Sequence, residues 1–332
     1  GLVSADHAAN QHQLFVNLMS LVRLDEALEP RPWLAESWSW NDEGTALTFR
    51  LRTDVFWHDG TPTTARDVAF TFRRANDPGT GFPNQAFWAR YPGGPDAVEV
   101  LDDHTVRFHL EPHPEPLDSW RALPILPAHL LEDVPAEELA QHPFGTRCPV
   151  GNGPFVFLEH RPDASWTFVR NPGFPEALGG PPYLERYVYR VIPEPTTLLA
   201  ELLTGAVDVY LQPLPDQLPR IQDDPGARIL ATPFRELTFV VWNSRRPHLE
   251  DARVRRALTL GVNRREILEA MRQGYGTVAN ASVPPFHYGH HGALVDSLPF
   301  DPEGARRLLD QAGWGEMGAD GVRRNAQGER LE

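Results

Sequence analysis

Three histidines in a loop rich in proline and glycine are the residues whose types most directly suggest metal chemistry. His287, His290 and His291 carry imidazoles, which bind transition metals when they converge on one ion. No predicted helix carries them, and loops commonly carry solvated histidines. A metal-ligand set and a solvated loop therefore both stay open; the second is favoured, so no metal ligand is assigned.

The other chemistry-bearing residues exclude several classes of enzyme. All 31 basic residues are arginines, so Schiff-base, pyridoxal-phosphate and P-loop chemistry lack the lysine that they require. Cys148 is the only cysteine, which excludes an intrachain disulfide and a thiolate zinc cluster. The sequence contains no G-x-S-x-G and no H-E-x-x-H motif. The sequence therefore predicts a protein that is not an enzyme.

Aromatic side chains in an irregular segment are the clearest candidates for ligand contact. Phe87, Trp88 and Tyr91 lie in a glycine- and proline-rich segment. Large rings in such a segment have no regular face to fill, and in binding clefts they supply contact area at low entropy cost. The alternative is a small satellite core filled by the same rings, and the residues alone leave both interpretations open.

The first half of the chain contains local patterns for strands and helices that would position these groups. Strict alternation over residues 46–52 predicts a half-buried strand, and residues 98–110 have the pattern of a β-hairpin. Thr64 and Asp67 have the spacing of a capping box, which predicts a helix to about residue 75. Apolar spacing over residues 10–24 predicts a further helix.

The second half predicts alternating strands and helices. Residues 187–192, 207–211 and 237–242 read as strands, and a helix over residues 196–203 would join the first two as a parallel pair. Asp251, Asn263 and Asp301 are candidate helix N-caps, with a long loop over residues 274–299 between the last two helices. The predicted fold class is mixed α/β with an antiparallel-rich insertion.

Length, composition and charge limit the remaining possibilities. The 332 residues predict two domains, and 41% hydrophobic with 23% charged residues is enough for a packed core. The formal net charge of −14 repels phosphate backbones, so nucleic acid is excluded as the main partner. No apolar run approaches 18 residues, and nothing in the sequence predicts a membrane span.

Several motifs occur in a fixed order along nearly the whole chain. The longest covers residues 32–68 and includes Trp57-His58-Asp59-Gly60-Thr61-Pro62. The other motifs occupy residues 151–155, 170–172, 204–208, 251–258 and 301–314. Together they resemble the solute-binding proteins of bacterial peptide- and nickel-type ABC importers, which form family 5 of the extracellular solute-binding proteins.

The resemblance implies a two-lobed, type II periplasmic-binding-protein fold with an extra inserted subdomain. Residues 1–40 and 150–235 would belong to lobe I, and residues 41–149 would form the inserted subdomain. Residues 236–332 would begin lobe II. Family members are longer, so the resemblance also implies a chain truncated at the C-terminus, with the second lobe incomplete.

The resemblance further suggests three ligand-contact regions. The first is an N-terminal loop over residues 6–13 that includes Asn10, and the second contains Phe87, Trp88 and Tyr91. The third is a loop over residues 283–287 that includes Pro285 and His287. The resemblance implies no catalytic residue and no cofactor.

The function implied by the resemblance is solute capture outside the cytoplasm. The expected protein is a monomeric substrate-binding subunit that encloses a peptide or a similar extended polar solute between two lobes. Its expected partners are ABC permease subunits. Its expected location is the periplasm or the outer face of the cytoplasmic membrane, where a lipid could anchor it through a segment outside these 332 residues. Two alternatives are the sensor domain of a transcriptional regulator with this fold and a binder of nickel or other metal chelates.

Overall fold

The computed structural model describes residues 16–26, 28–82, 94–112, 117–232, 237–283, 285, 290–294 and 297–331. Proximity of Cα atoms divides the chain into two compact units, Gly1–Ile192 (unit 1) and Pro193–Glu332 (unit 2). The finer division predicted from the family resemblance, with boundaries after residues 40, 149 and 235, stays a prediction.

A four-stranded antiparallel sheet and a short two-stranded ribbon begin unit 1. The ribbon pairs β1 (Val22–Leu24) with β2 (Pro30–Pro32). The sheet consists of β3 (Ala35–Trp40), β4 (Ala46–Leu51), β5 (Val98–Asp102) and β6 (Thr105–His109), in the order β3-β4-β6-β5. Leu47, Phe49 and Leu51 point into the core, as the alternation predicts. The predicted strand and hairpin are confirmed.

The core of unit 1 lies between this sheet and the helices packed on it. These helices are α1 (Ala65–Asn76), α2 (Asp118–Ala122), α3 (Ala128–Leu131) and α4 (Pro143–Thr146). Four fully buried rings meet there, with Trp120 4.2 Å from Phe108 and 5.9 Å from Phe72 between ring centroids. Phe49 lies 5.7 Å from Trp120. Buried rings at these distances add edge and stacking interactions to the area that they remove from water.

A second sheet of unit 1 carries aromatic residues on one face. It consists of β7 (Phe155–Arg161), β8 (Ser165–Arg170) and β9 (Arg186–Arg190), all antiparallel. Phe157, Phe168 and Tyr187 are cross-strand partners, so they share this face. The strand predicted over residues 187–192 is confirmed as β9.

Unit 2 is mainly helical in its described part. Its helices are α5 (Pro195–Leu203), α6 (Leu218–Gln222), α7 (Pro247–Glu250), α8 (Ala252–Leu260), α9 (Arg264–Arg272) and α10 (Pro302–Gln311). A ribbon of β10 (Glu316–Met317) and β11 (Arg323–Arg324) follows. Val254 of α8, Leu309 of α10 and Trp314 form its small core with neighbouring apolar residues. Within the described ranges, no helix is long and apolar enough to cross a bilayer.

The N-caps predicted for unit 2 are confirmed. The side chain of Asp251 accepts a hydrogen bond from the Arg253 amide at 2.8 Å, and that of Asp301 accepts one from Gly304 at 2.8 Å. Asn263 caps α9 through the Glu266 amide at 3.2 Å. Each cap satisfies an amide that the first turn of a helix leaves without a partner.

Three predictions from local pattern are wrong in the described residues. The helix predicted over residues 10–24 is contradicted at Val22–Leu24, which is a strand because Pro30–Pro32 pairs with it, while residues 10–15 lie outside the described part of the chain. Residues 207–211 and 237–242 form no strand, and every named strand pair in the described part of the chain is antiparallel. The predicted parallel pair is therefore absent there. Phe239, Val240 and Val241 are 68%, 68% and 73% exposed, and a strand requires a neighbouring strand for its backbone hydrogen bonds.

Candidate ligand-binding region

Most of the predicted contact residues lie outside the described part of the chain. These are Asn10, Phe87, Trp88, Tyr91 and His287. Pro285 is described and exposed, in a loop of unit 2. The proposed solute contacts of these residues therefore stay predictions. The structure describes the chain segments next to them.

The segment that follows the predicted N-terminal contact loop is held by the Gly151-Asn152-Gly153 motif. The backbone amides of Asn152 and Gly153 both donate to the carbonyl of Asn17, at 3.1 and 3.0 Å. The Oδ1 of Asn152 accepts from the Met19 amide at 2.9 Å. These bonds form a compact buried junction between two chain segments that are far apart in sequence. One segment contributes Asn17 and Met19, and the other contributes Asn152 and Gly153.

Glycine is required in this junction because two backbones approach each other closely. A Cβ atom on Gly151 would lie 1.8 Å from the Asn17 carbonyl oxygen, and one on Gly153 would lie 2.9 Å from the Asn17 carbonyl carbon. The Asn17 side chain is buried, and neither its Oδ1 nor its Nδ2 has a hydrogen-bond partner among the described residues. The motif over residues 151–155 predicts the family but not this contact; two glycines around a polar residue are the signal for the close approach.

His58 connects the motif over residues 32–68, here called the signature motif, to the same junction. Its backbone amide donates to the Gly151 carbonyl at 2.7 Å, and its ring Nε2 donates to the Gly153 carbonyl at 3.0 Å. The ring Nδ1 is buried and has no partner in the described part of the chain. Burial lowers the pKa of His58, and the Gly153 carbonyl and Asp59 offset this only in part.

The position of His58 gives a pH-dependent stability that can be measured. Because the pKa of His58 is lowered in the folded state, the unfolded chain binds this proton first. We therefore expect unit 1 to be most stable above a pH of about 6.5 and to lose stability as the pH falls below it. The measurement is the urea midpoint, followed by tryptophan fluorescence, from pH 8 to pH 5.

The control separates His58 from the other histidines. His58→Gln should flatten this part of the pH profile, whereas His291→Gln, at an exposed residue of unit 2, should keep the wild-type slope. An unchanged slope in His58→Gln would contradict the assignment.

A pair formed by a histidine and a carboxylate lies beside His58. His129 on α3 approaches Asp59 at 2.8 Å between Nε2 and Oδ2. Burial alone would raise the pKa of Asp59, but hydrogen bonds from His129 and Thr61 outweigh it and hold this pKa below its usual range. The pair joins the turn after Trp57 to α3, so it supports the fold of the signature motif.

Asp67 lies near the C-terminal end of the signature motif. Its side chain is buried and its Oδ2 accepts from the Thr64 amide at 2.8 Å, as the capping box predicts. The sequence did not predict its other contacts. Oδ1 accepts from the Ala128 amide at 2.8 Å, and Oδ2 also lies 3.3 Å from the indole nitrogen of Trp57. The Asp67 carboxylate therefore joins the start of α1 to the start of α3 and to the turn that carries Trp57.

The segment before the predicted aromatic contacts is anchored to α1. Asp77 accepts from the Gly79 amide at 2.8 Å, and Phe82 packs against the core of unit 1. Thr80 is buried, and its hydroxyl has no partner among the described residues. A small cavity lies beside it, lined by Thr80, Phe82, Arg74, Leu126 and their neighbours. The aromatic segment therefore starts from a fixed point.

The loop of unit 2 that carries Pro285 contains one defined histidine contact. His290 donates from Nδ1 to the Val283 carbonyl at 2.8 Å, and His291 is exposed. Within the described ranges, no group of three or more His, Cys, Asp or Glu residues could hold a metal ion. The structure therefore brings no metal-ligand set together in the residues that it describes.

The sequence profile of one protein family matches most of the chain. The family is described as "Bacterial extracellular solute-binding proteins, family 5 Middle", and the match covers residues 29–331. Heme-binding protein A of Haemophilus influenzae is 30% identical over 321 residues, which are 92% of this chain and 57% of that protein. Di/tripeptide-binding protein 1 of Pseudomonas aeruginosa is 30% identical over 308 residues, 86% of this chain and 55% of that protein.

Solved structures agree with these matches. NikZ from Campylobacter jejuni in complex with Ni(L-His) is 27% identical with a TM-score of 0.74, covering 95% of this chain and 61% of that one. HbpA2 from Haemophilus parasuis is 27% identical with a TM-score of 0.77, covering 95% of this chain and 64% of that one. The chain thus spans a little over half the length of these curated relatives.

The fold class predicted from the sequence is therefore confirmed: the mixed α/β chain has the type II periplasmic-binding-protein fold over the part that it shares with its relatives. The profile match covers far more than half of the residues. The chain belongs to the bacterial extracellular solute-binding proteins, family 5.

Proposed function

We propose that this protein is the substrate-binding subunit of an ABC importer, located in the periplasm or on the outer face of the cytoplasmic membrane. As a monomer, it captures a peptide, or a similar extended polar solute, between two lobes. It then delivers this solute to the permease. It makes and breaks no covalent bond.

The family match over residues 29–331 carries this proposal. The printed names of the relatives support the solute class: two of them are a di/tripeptide-binding protein from Pseudomonas aeruginosa and a putative ABC transporter peptide-binding protein from Brucella ovis. The absence of lysine from the sequence agrees with a role in binding, because several covalent mechanisms need that side chain.

Binding would use the three predicted contact regions. Main-chain groups of the N-terminal loop near Asn10 would pair with the backbone of the solute. Phe87, Trp88 and Tyr91 would form an aromatic wall, and Pro285 and His287 would contact the solute from the loop of unit 2. Binding sites usually hold an extended polar solute with aromatic rings and with hydrogen bonds from main-chain groups.

A titration of the purified protein tests the solute class. The probes are an equimolar tripeptide library, hemin and the complex of nickel with L-histidine, each followed by calorimetry and by the fluorescence of the nine tryptophans. We expect saturable binding of tripeptides. Binding of hemin alone or of the nickel complex alone would overturn the peptide assignment, and a response to none of them would overturn the proposal.

A substitution tests the aromatic wall. We expect Trp88→Ala to weaken tripeptide binding about tenfold, because truncating a buried aromatic anchor usually costs more than 1 kcal/mol. Trp40→Ala is the matched control, since Trp40 is 37% exposed on β3 and is not among the predicted contacts. Equal affinities of the two variants would contradict the role of Trp88.

A further inference from the structure

The loop between α9 and α10 is tied at its base by one arginine. Arg264, the first residue of α9, donates from Nη1 to the Ala279 carbonyl and to the Asn280 Oδ1, both at 2.9 Å. Its Nη2 donates to the carbonyl of Leu298. One guanidinium therefore contacts a residue near each end of the loop.

The two ends of the loop are attached to different surroundings. Leu298 packs against the core of unit 2, whereas Ala279 and Asn280 follow the end of α9. Asn263 caps α9 and also donates from its Nδ2 to the Glu266 carboxylate at 3.0 Å, which fixes the turn that carries Arg264. The guanidinium thus starts from the capped first turn of α9 and joins the segment after α9 to Leu298 at the core of unit 2.

A second contact lies further along the same loop. The hydrogen bond from His290 Nδ1 to the Val283 carbonyl joins two residues seven positions apart, and Pro285 lies between them. Closing a loop at two places removes much of its conformational freedom. The base contact and the inner contact therefore act on the same segment.

We infer that Arg264 is a positioning residue that holds this loop in the conformation that presents Pro285 for solute contact. The inference rests on the proposed function for its last step. A lysine cannot replace the arginine, because three oxygens on two chain segments need the planar, five-donor fork of a guanidinium. Arg265, the next residue, is exposed and is the matched control.

The first arm of the test needs no solute. In Arg264→Gln and Arg264→Lys we expect amide hydrogen exchange in residues 277–283 and 290–294 to rise about tenfold or more, with the rest of unit 2 unchanged. Nitrogen NMR above pH 8 should show the Nδ1–H form of His290 in the wild type and a loss of that preference in both variants. Arg265→Gln should match the wild type in both measurements.

The second arm measures affinity for the equimolar tripeptide library. Arg264→Gln should bind it about tenfold more weakly, while its midpoint of thermal unfolding stays close to that of Arg265→Gln. Wild-type exchange and an unchanged His290 tautomer in Arg264→Gln would overturn the inference, and so would a freed loop with full affinity. If the wild type binds no tripeptide, the proposed function fails, while exchange and tautomer still decide whether Arg264 holds the loop.

Discussion

Gly151→Ala is expected to destabilise unit 1 by about 3 kcal/mol or more, which is beyond the usual range for a single added methyl group. The new Cβ would lie 1.8 Å from the backbone oxygen of Asn17 and 2.5 Å from its Oδ1. Since the nearest atom belongs to the backbone, no change of rotamer relieves the overlap. Residues 16–20 and 151–153 must separate, and the hydrogen bonds from Asn152 and Gly153 to Asn17 are lost with them.

Urea unfolding followed by tryptophan fluorescence measures this effect, because seven of the nine tryptophans of the sequence belong to unit 1. Gly173→Ala is the control: the residue is exposed, and its added Cβ would meet only the side chain of Asn171, at 3.5 Å. We expect that variant to stay within about 0.5 kcal/mol of the wild type. Equal midpoints for the two variants would contradict the close approach at Gly151.

Asp67→Ala is the second substitution with a large expected effect, about 3 kcal/mol or more. It removes the acceptor for the backbone amides of Thr64 and Ala128, each bonded at 2.8 Å, and for the indole of Trp57. Leaving a buried donor without a partner costs about 1–3 kcal/mol for each group. Water does not readily replace the lost carboxylate, because Asp67, Trp57 and Ala128 are all buried.

The control for Asp67 is Asp77→Ala at the other end of α1. Asp77 also accepts from a backbone amide, that of Gly79 at 2.8 Å, but this hydrogen bond is exposed, so water can replace the carboxylate. We expect a loss of about 1 kcal/mol or less there. Asp67→Asn should fall between the two alanine variants, since its amide oxygen can replace Oδ2 and keep the contacts with Thr64 and Trp57, while its amide nitrogen would face the Ala128 amide. A loss in Asp67→Ala no larger than in Asp77→Ala would show that the carboxylate does not join α1 to α3.

Part of this structure follows from residues that are close in the sequence. The strand Ala46–Leu51, the hairpin of β5 and β6, and the caps at Thr64, Asp251, Asn263 and Asp301 were all predicted correctly. Alternation, turns and caps depend on the side chain and on the backbone within a few residues, so the sequence contains them directly. The family was also recognised, because its motifs are local and occur in a fixed order.

The site depends much more on contacts between distant residues. Asn152 bonds to Met19 across 133 positions, and Arg264 reaches Leu298 across 34. From the sequence, Asn152 is recognisable only as part of a glycine motif, and Arg264 only as the residue after a helix N-cap. Which carbonyl each of them meets is decided by packing, since a hydrogen bond forms only where the folded chain brings donor and acceptor together.

The wrong predictions have the same origin. The run over residues 237–242 has strong β propensity, yet it forms no strand, and Val22–Leu24 forms one although its spacing suits a helix. A strand is stable only beside another strand that accepts its backbone hydrogen bonds. The sequence alone therefore determined the helix caps, the alternating strand, the β5–β6 hairpin and the family of this protein. The tertiary structure decided which strands pair, how the Gly151–Asn152–Gly153 junction closes on Asn17, and that a single guanidinium holds both ends of the loop before α10.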